Sequence, residues 1–249
     1  MRTFAVLNQK GGVGKTTTAI NLAHAMALRG HHVTAIDMDP QNHLTAGLGE
    51  ETHPQIGIDE VLLAESTLES TVIVARDDLR LIPAGTRLSE VEQGAKGVKG
   101  GLLLANEVKA MQNQDFVFID CPPSSGILSM NAILAAKEII IPVSSDYLAL
   151  HGMSRLMGIL NHVEKRLNHK MKVWVVLTRF HGRRRLANEV RDKLVSYFPG
   201  RVLKTAIREA VALAESPSYG QTIFEYQKRG NGSSDYSALA DDLLHGRTL

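Results

Sequence analysis

The chain has 249 residues, 44% hydrophobic and 22% charged, a composition that excludes a disordered or fibrous protein. Its single cysteine, Cys121, excludes an intrachain disulfide framework and any CxxC zinc or redox pair. The net charge of +2 conceals a split, because residues 1–149 sum to −6 and residues 150–249 to +8, with 14 Lys/Arg against 3 acids in 155–208. Such asymmetry points to a polyanionic partner for the basic half.

Taken in chain order, Phe4-Ala5-Val6-Leu7 predicts a short strand that runs into a glycine loop. Residues 19–28 place apolar side chains at helical spacing and stop at Gly30. Further strands are predicted at 32–36, stopped by Asp37, and at 79–82, stopped by Pro83. Others follow at 116–119, before Asp120-Cys121-Pro122-Pro123, at 138–141, before Pro142, and at 172–177. Helices are predicted over 101–113, 126–136, 150–167, 184–197 and 234–245. The glycine-rich run 92–101 is expected to be a mobile loop.

Wholly apolar strands separated by helices indicate an α/β fold, a doubly wound and mostly parallel sheet flanked by helices. No linker divides it, so one domain over 1–249 is expected, with ligands at the carboxyl ends of the strands. No apolar stretch approaches the ~20 residues of a membrane helix, and the N-terminus lacks a signal peptide's apolar core. A soluble protein of a reducing compartment is the default reading.

The glycine loop reads Leu7-Asn8-Gln9-Lys10-Gly11-Gly12-Val13-Gly14-Lys15-Thr16-Thr17-Thr18. A strict Walker A pattern would need glycine where Gln9 stands, but Gly-Lys-Thr follows a strand and opens a helix. Glycines there let backbone N–H groups converge on phosphate oxygens. Lys15 can then bridge β- and γ-phosphates, and the Thr16 hydroxyl can ligate Mg²⁺.

Lys10-Gly11-Gly12-Val13-Gly14-Lys15-Thr16-Thr17 resembles the deviant Walker A loop of the ParA/MinD family of P-loop ATPases. Asp37-Met38-Asp39-Pro40-Gln41 resembles that family's switch I, and Ile119-Asp120-Cys121-Pro122-Pro123 its Walker B and switch II. Tyr147–Gly152 resembles the turn into the dimer-face helix of partition ATPases, and Ala214–Gly220 with Ile223–Tyr226 their C-terminal motif. The likeness therefore spans nearly the whole chain.

The resemblance implies an ATPase using ATP and Mg²⁺. ATP would be held by Lys10, Gly11, Gly12, Val13, Gly14, Lys15, Thr16, Thr17 and Arg208, and the metal by Thr16, Asp37 and Asp120. Catalysis would rest on Lys15, on Asp39, which supports hydrolysis, and on Lys10, which reaches across a nucleotide-sandwich dimer to the partner's ATP. Base contacts would fall near Thr178-Arg179 and Ile207-Arg208. Many relatives carry Ile-Pro-Arg-Asn where this chain has Ile207-Arg208-Glu209-Ala210.

Implied partners are a second copy of the chain, non-specific double-stranded DNA, and a ParB-like or adaptor protein that stimulates hydrolysis. The implied location is the cytoplasm, at the nucleoid. The basic residues proposed for DNA are Arg183, Arg184, Arg185, Arg201 and Lys204, spaced cations with little aromatic interleaving. The C-terminal Leu243–Leu249 is too short and too weakly amphipathic for a MinD-type membrane helix. The first strand also begins too early for a preceding helix-turn-helix domain, which leaves a small partition ATPase without a membrane partner. A MinD-like membrane regulator and a metabolic P-loop enzyme are the rival readings; the single cysteine disfavours an iron-protein-type cluster ATPase.

Overall fold

Successive side chains along the central strands enter opposite cores. In β1 (Arg2–Val6), Phe4 and Val6 pack on one face while Ala5, with Leu7 just beyond the strand, packs on the other. The same alternation holds in β5 (Phe116–Asp120), where Phe116 and Phe118 oppose Val117 and Ile119. Burial on both faces is why these strands read as unbroken apolar runs.

The structure is a computed structural model that describes residues 1–50, 56–94, 101–146 and 149–249, with the backbone alone for 149–151. Residues 95–100 of the expected mobile loop, and Tyr147 and Leu148 of the expected turn, lie outside the described residues. After β1 come α1 (Lys15–Ala27), β2 (Val33–Asp37), α2 (His43–Gly47) and α3 (Ile58–Leu62). Then follow β3 (Ile73–Arg76), β4 (Leu79–Ile82), α4 (Leu88–Glu92), α5 (Leu103–Ala110) and β5. Next are α6 (Ile127–Ala135), β6 (Glu138–Ser144), α7 (Ala149–Leu167), β7 (Lys172–Thr178) and α8 (Arg185–Tyr197). Short α9 (Val211–Glu215) and α10 (Ile223–Tyr226) precede α11 (Asn231–His245).

The strands form one seven-stranded sheet in the order β3-β4-β2-β5-β1-β6-β7. Every pairing is parallel except β3 with β4, an antiparallel edge strand that the sequence reading did not include. Helices α1 and α11 cover one face with Phe4, Phe118, Trp174 and Tyr236. The opposite face packs on α5, α6, α7 and α8 through residues such as Leu104, Leu128, Leu160 and Leu194. The chain beyond α8 runs beside β7, with Val202 bridging Val175 and Arg208 bridging Phe180 in parallel.

Strand β1 lies between β5 and β6, so the chain winds to opposite sides of it. This switch point leaves a crevice at the carboxyl ends of the three strands. Register also aligns residues there: Val6 and Asp37 are each paired with Asp120. Among the described residues no helix is long and apolar enough to cross a membrane.

Candidate functional site

The loop from Leu7 to Gly14 leaves β1 at the switch point and turns into α1. Gly12 and Gly14 hold φ of 71° and 87°, left-handed values that glycine adopts without strain. A side chain on Gly11 or Gly12 would meet nothing within 4 Å, so their backbone faces open space. The loop is pinned from both sides. Asn8 Nδ2 donates to the Pro142 carbonyl (2.8 Å), and Thr178 Oγ1 donates to the Val13 carbonyl (2.8 Å). Helix α1 begins without a side-chain cap and with no acid in its first turn. Its free N–H groups and positive dipole end are therefore available to an anion.

Lys15 is buried at the start of this helix, with Asp120 close enough for their charges to interact. Asp120 is fully buried, and neither carboxylate oxygen has a hydrogen-bond partner. Burial, reinforced by the Asp37 charge, pushes its carboxyl well above the usual carboxylate range. The Thr16 hydroxyl and the Lys15 ammonium oppose that shift, so Thr16 lies near Asp120 without bonding geometry. A buried, unpartnered carboxylate beside a hydroxyl and an uncapped helix start suits a hydrated divalent cation that also touches phosphate. Thr16 and Asp120 thus fit the expected Mg²⁺.

Asp37 stands on the same rung but is differently engaged. Its Oδ2 accepts from the Thr45 amide (2.9 Å) and hydroxyl (2.7 Å), and its Oδ1 from the Asp39 amide (3.1 Å). Burial outweighs these bonds and raises its carboxyl to about 6. Asp37 therefore holds the 37–45 segment in place, a structural engagement that the expectation of a metal ligand did not include. Asp39 is also buried, and its Oδ1 accepts from the Gln41 amide (3.0 Å).

Lys10 reaches across the switch point, not toward the loop's own helix. Its Nζ donates to both oxygens of Asp146 (2.7 and 2.6 Å), and Ser144 Oγ donates to Asp146 Oδ2 (2.7 Å). Asp146 carries the same sequence signal as the other acids, a carboxylate just past a strand, here β6.

A pocket of about 440 Å³ opens beside the loop. Gly12, Gly14 and Thr17 form one wall, and Ile207, Leu213 and Tyr236 are among the apolar residues opposite. Arg208 also lines it, and its guanidinium is bound to Asp235, with Nη2 2.6 Å from Oδ1. Glu209 sits at the same pocket with Arg179 (3.0 Å) and His181 (2.6 Å), which hold its carboxyl below the usual range. Glu209 stands in the Ile207–Ala210 stretch where relatives differ, whereas Leu213 and Tyr236 carry no local motif and only the fold gathers them.

Known proteins resemble this chain over nearly its whole length. A family model described as an AAA domain covers residues 1–173. The chain is 36% identical to the chromosome-partitioning ATPase Soj of Thermus thermophilus, over 98% of this chain and 96% of that protein. It is 35% identical to the chromosome partitioning protein ParA of Caulobacter vibrioides, over 98% and 94% of the two chains. The chain belongs to the ParA/Soj family of partition ATPases. Cobyrinic acid a,c-diamide synthase from Mycobacterium smegmatis, solved with an ATP analogue and magnesium, superposes with a TM-score of 0.84 at 27% identity, over 98% and 95% of the chains.

In this chain the five basic residues singled out for DNA lie at the start of α8 and on the segment that follows it. Arg183, Arg184 and Arg185 are exposed at the start of α8, near the end of β7 that faces the phosphate loop. Arg201 and Lys204 are exposed beyond its far end, on the segment that returns alongside β7. Arg185 is already paired with Glu189 (2.8 Å).

Proposed function

We propose that this chain is one ATPase domain acting as a nucleotide-dependent switch that positions a cargo on DNA. The observation that carries this reading is the buried, unpartnered Asp120 carboxylate beside Thr16, Lys15 and the uncapped start of α1. ATP would lie along Gly11–Thr17, with its base in the 440 Å³ pocket at Arg208 and Glu209. Thr16 and Asp120 would hold Mg²⁺, which when bound offsets charge on the phosphate oxygens; Asp37 would act on it through the position of the 37–45 segment. Lys15 balances phosphate charge, and Asp39 orients the attacking water.

Lys10 would leave Asp146 and meet the nucleotide of a second copy, so dimerisation competes with an intrachain ion pair. A lysine exchanging one anionic partner for another keeps a counter-charge in both states, which suits a reversible switch. The ATP-bound dimer would bind double-stranded DNA without sequence preference at the nucleoid, in the cytoplasm. A ParB-like or adaptor protein on the cargo would stimulate hydrolysis and release.

DNA binding measured with ATP, with ADP and without nucleotide tests the switch; equal binding in all three states would sink it. Lys10→Ala should retain ATP binding yet lose the ATP-dependent dimer in light scattering, and a normal dimer would remove its proposed role. The likeness to a synthase favours one other reading, turnover coupled to a small molecule. Hydrolysis stimulated by a metabolite, and not by DNA or protein, would support it instead.

A further inference from the structure

The segment that follows Asp120 leaves β5 and turns into α6, and it is held at both ends. At the near end the Asp120 carbonyl accepts from the Met38 amide (2.9 Å), and the Cys121 amide donates to the Val6 carbonyl (3.2 Å). Pro122 and Pro123 come next, with no amide to donate and with φ locked by their rings. At the far end a distant side chain takes hold. Ser124 Oγ donates to Glu92 Oε1 (2.5 Å), and the Leu128 amide donates to Glu92 Oε2 (3.1 Å). Ser129 Oγ closes the turn by donating to the Ser124 carbonyl (2.6 Å).

Gly126 stands at the N-cap of α6 and has no side chain to accept from the first turn. A side chain there would collide with the Glu92 carboxylate. Glu92 thus supplies both the acceptor and the negative charge that this helix start lacks, since its own first turn contains no acid. Glu92 is itself fixed. It ends α4, whose Leu88 and Val91 are buried, and the Arg87 amide before that helix donates to buried Asp59 (2.7 Å).

The clasp matters because of what the segment faces. Pro122, Ser124 and Ser125 share with Asn8 and Gln9 of the phosphate loop the lining of a cavity of only about 20 Å³. Parts packed this closely transmit displacement, so a shift of the segment reaches the loop. We propose that Glu92 is a positioning residue for ATP hydrolysis, holding Ser124–Gly126 so that Asp120 and the phosphate loop keep their mutual geometry. The inference rests on the nucleotide reading above. Glu92 acts through Ser124 and Leu128 and itself binds no nucleotide.

The test is steady-state ATP hydrolysis by the full chain with magnesium, expressed per chain that binds a fluorescent ATP analogue, so that unfolded protein drops out of the rate. Glu92→Ala should lower kcat about 10- to 100-fold while the KM for ATP stays within about twofold, because a small displacement near reacting groups costs rate more than binding. Glu92→Gln should recover most of the rate: its amide oxygen can accept from the Leu128 amide while its amide nitrogen donates to Ser124 Oγ. Adding Ser124→Ala to Glu92→Ala should slow hydrolysis no further, since one clasp is lost only once. Gly126→Ala, which drives the carboxylate away by contact, should lower kcat as Glu92→Ala does and replaces it should that variant not fold. Wild-type kcat in Glu92→Ala, or in Gly126→Ala where that variant stands in, overturns the proposal. Losses that multiply in the double variant, or a Glu92→Gln variant as slow as Glu92→Ala, also overturn it. Wild-type chain that hydrolyses no ATP removes the nucleotide reading itself.

Discussion

Asp37 and Asp120 face each other across β2 and β5, yet one is saturated with hydrogen bonds and the other has none. A buried carboxylate without a partner lowers the stability of the empty protein, and its retention fits a ligand that supplies the missing charge. Asp120→Asn should therefore raise the stability of the nucleotide-free protein by about 1–2 kcal/mol while abolishing magnesium-dependent ATP turnover. Denaturant titration and a phosphate-release assay on the same preparation check both halves. The presence of these acids was legible in the sequence, because each ends an apolar strand. Their division of labour was not, since the Thr45 bonds to Asp37 arise only when the following segment folds back over it.

At the scale of elements, the C-terminal motif emerges as a clamp. Gly220 has φ of 62°, and a side chain there would stand 2.6 Å from the Gly49 Cα. Gly220→Ala should cost about 2 kcal/mol, measurable as a shift in denaturation midpoint at constant m-value. Thr222 begins α10 and holds α1: its hydroxyl lies 2.6 Å from His24 Nδ1, and the Ile223 amide donates to Asn21 Oδ1 (2.9 Å). Burial depresses the His24 pKa below 6.5, against an opposing pull from Glu225. The unfolded chain then binds a proton that the folded chain excludes, so this site loses stability as pH falls below about 6.5, by up to about 1.4 kcal/mol per pH unit until the folded imidazole protonates. The stability difference between wild type and His24→Gln, constant above pH 7, should move in the variant's favour below pH 6; a flat difference would rule out His24 as the source. The main helices were legible from apolar spacing, and the predicted 126–136, 150–167 and 184–197 match α6, α7 and α8 within a residue at each end. The edge strand β3 was not, because four half-exposed residues that turn at Asp78 (φ 56°) have no distinctive period.

For the molecule as a whole, nucleotide should act as a folding ligand. ATP with magnesium at 100 times its Kd adds about 2.7 kcal/mol, which for a chain of this size raises the thermal midpoint by roughly 5–10 °C. Lys15→Ala should abolish that shift in a calorimetric scan, whereas a variant that keeps the full shift would remove Lys15 from the nucleotide site. The charge split seen along the chain also changes meaning in three dimensions, because Lys137 from the acidic half lines one groove with Lys170 and Arg201 of the basic half.

The sequence by itself determined the phosphate loop, the central strands and the long helices, and the family likeness. These are local properties, since a strand, a glycine turn and a helix start each depend on residues within a few positions of one another. Only the tertiary structure decided what those parts face. Lys10 meets Asp146 across 136 residues, and Glu209, Leu213 and Tyr236 join a pocket walled by Gly12 and Gly14. Strand order in the sheet sets those meetings, and strand order comes from the packing of two cores, which no local pattern of residues encodes.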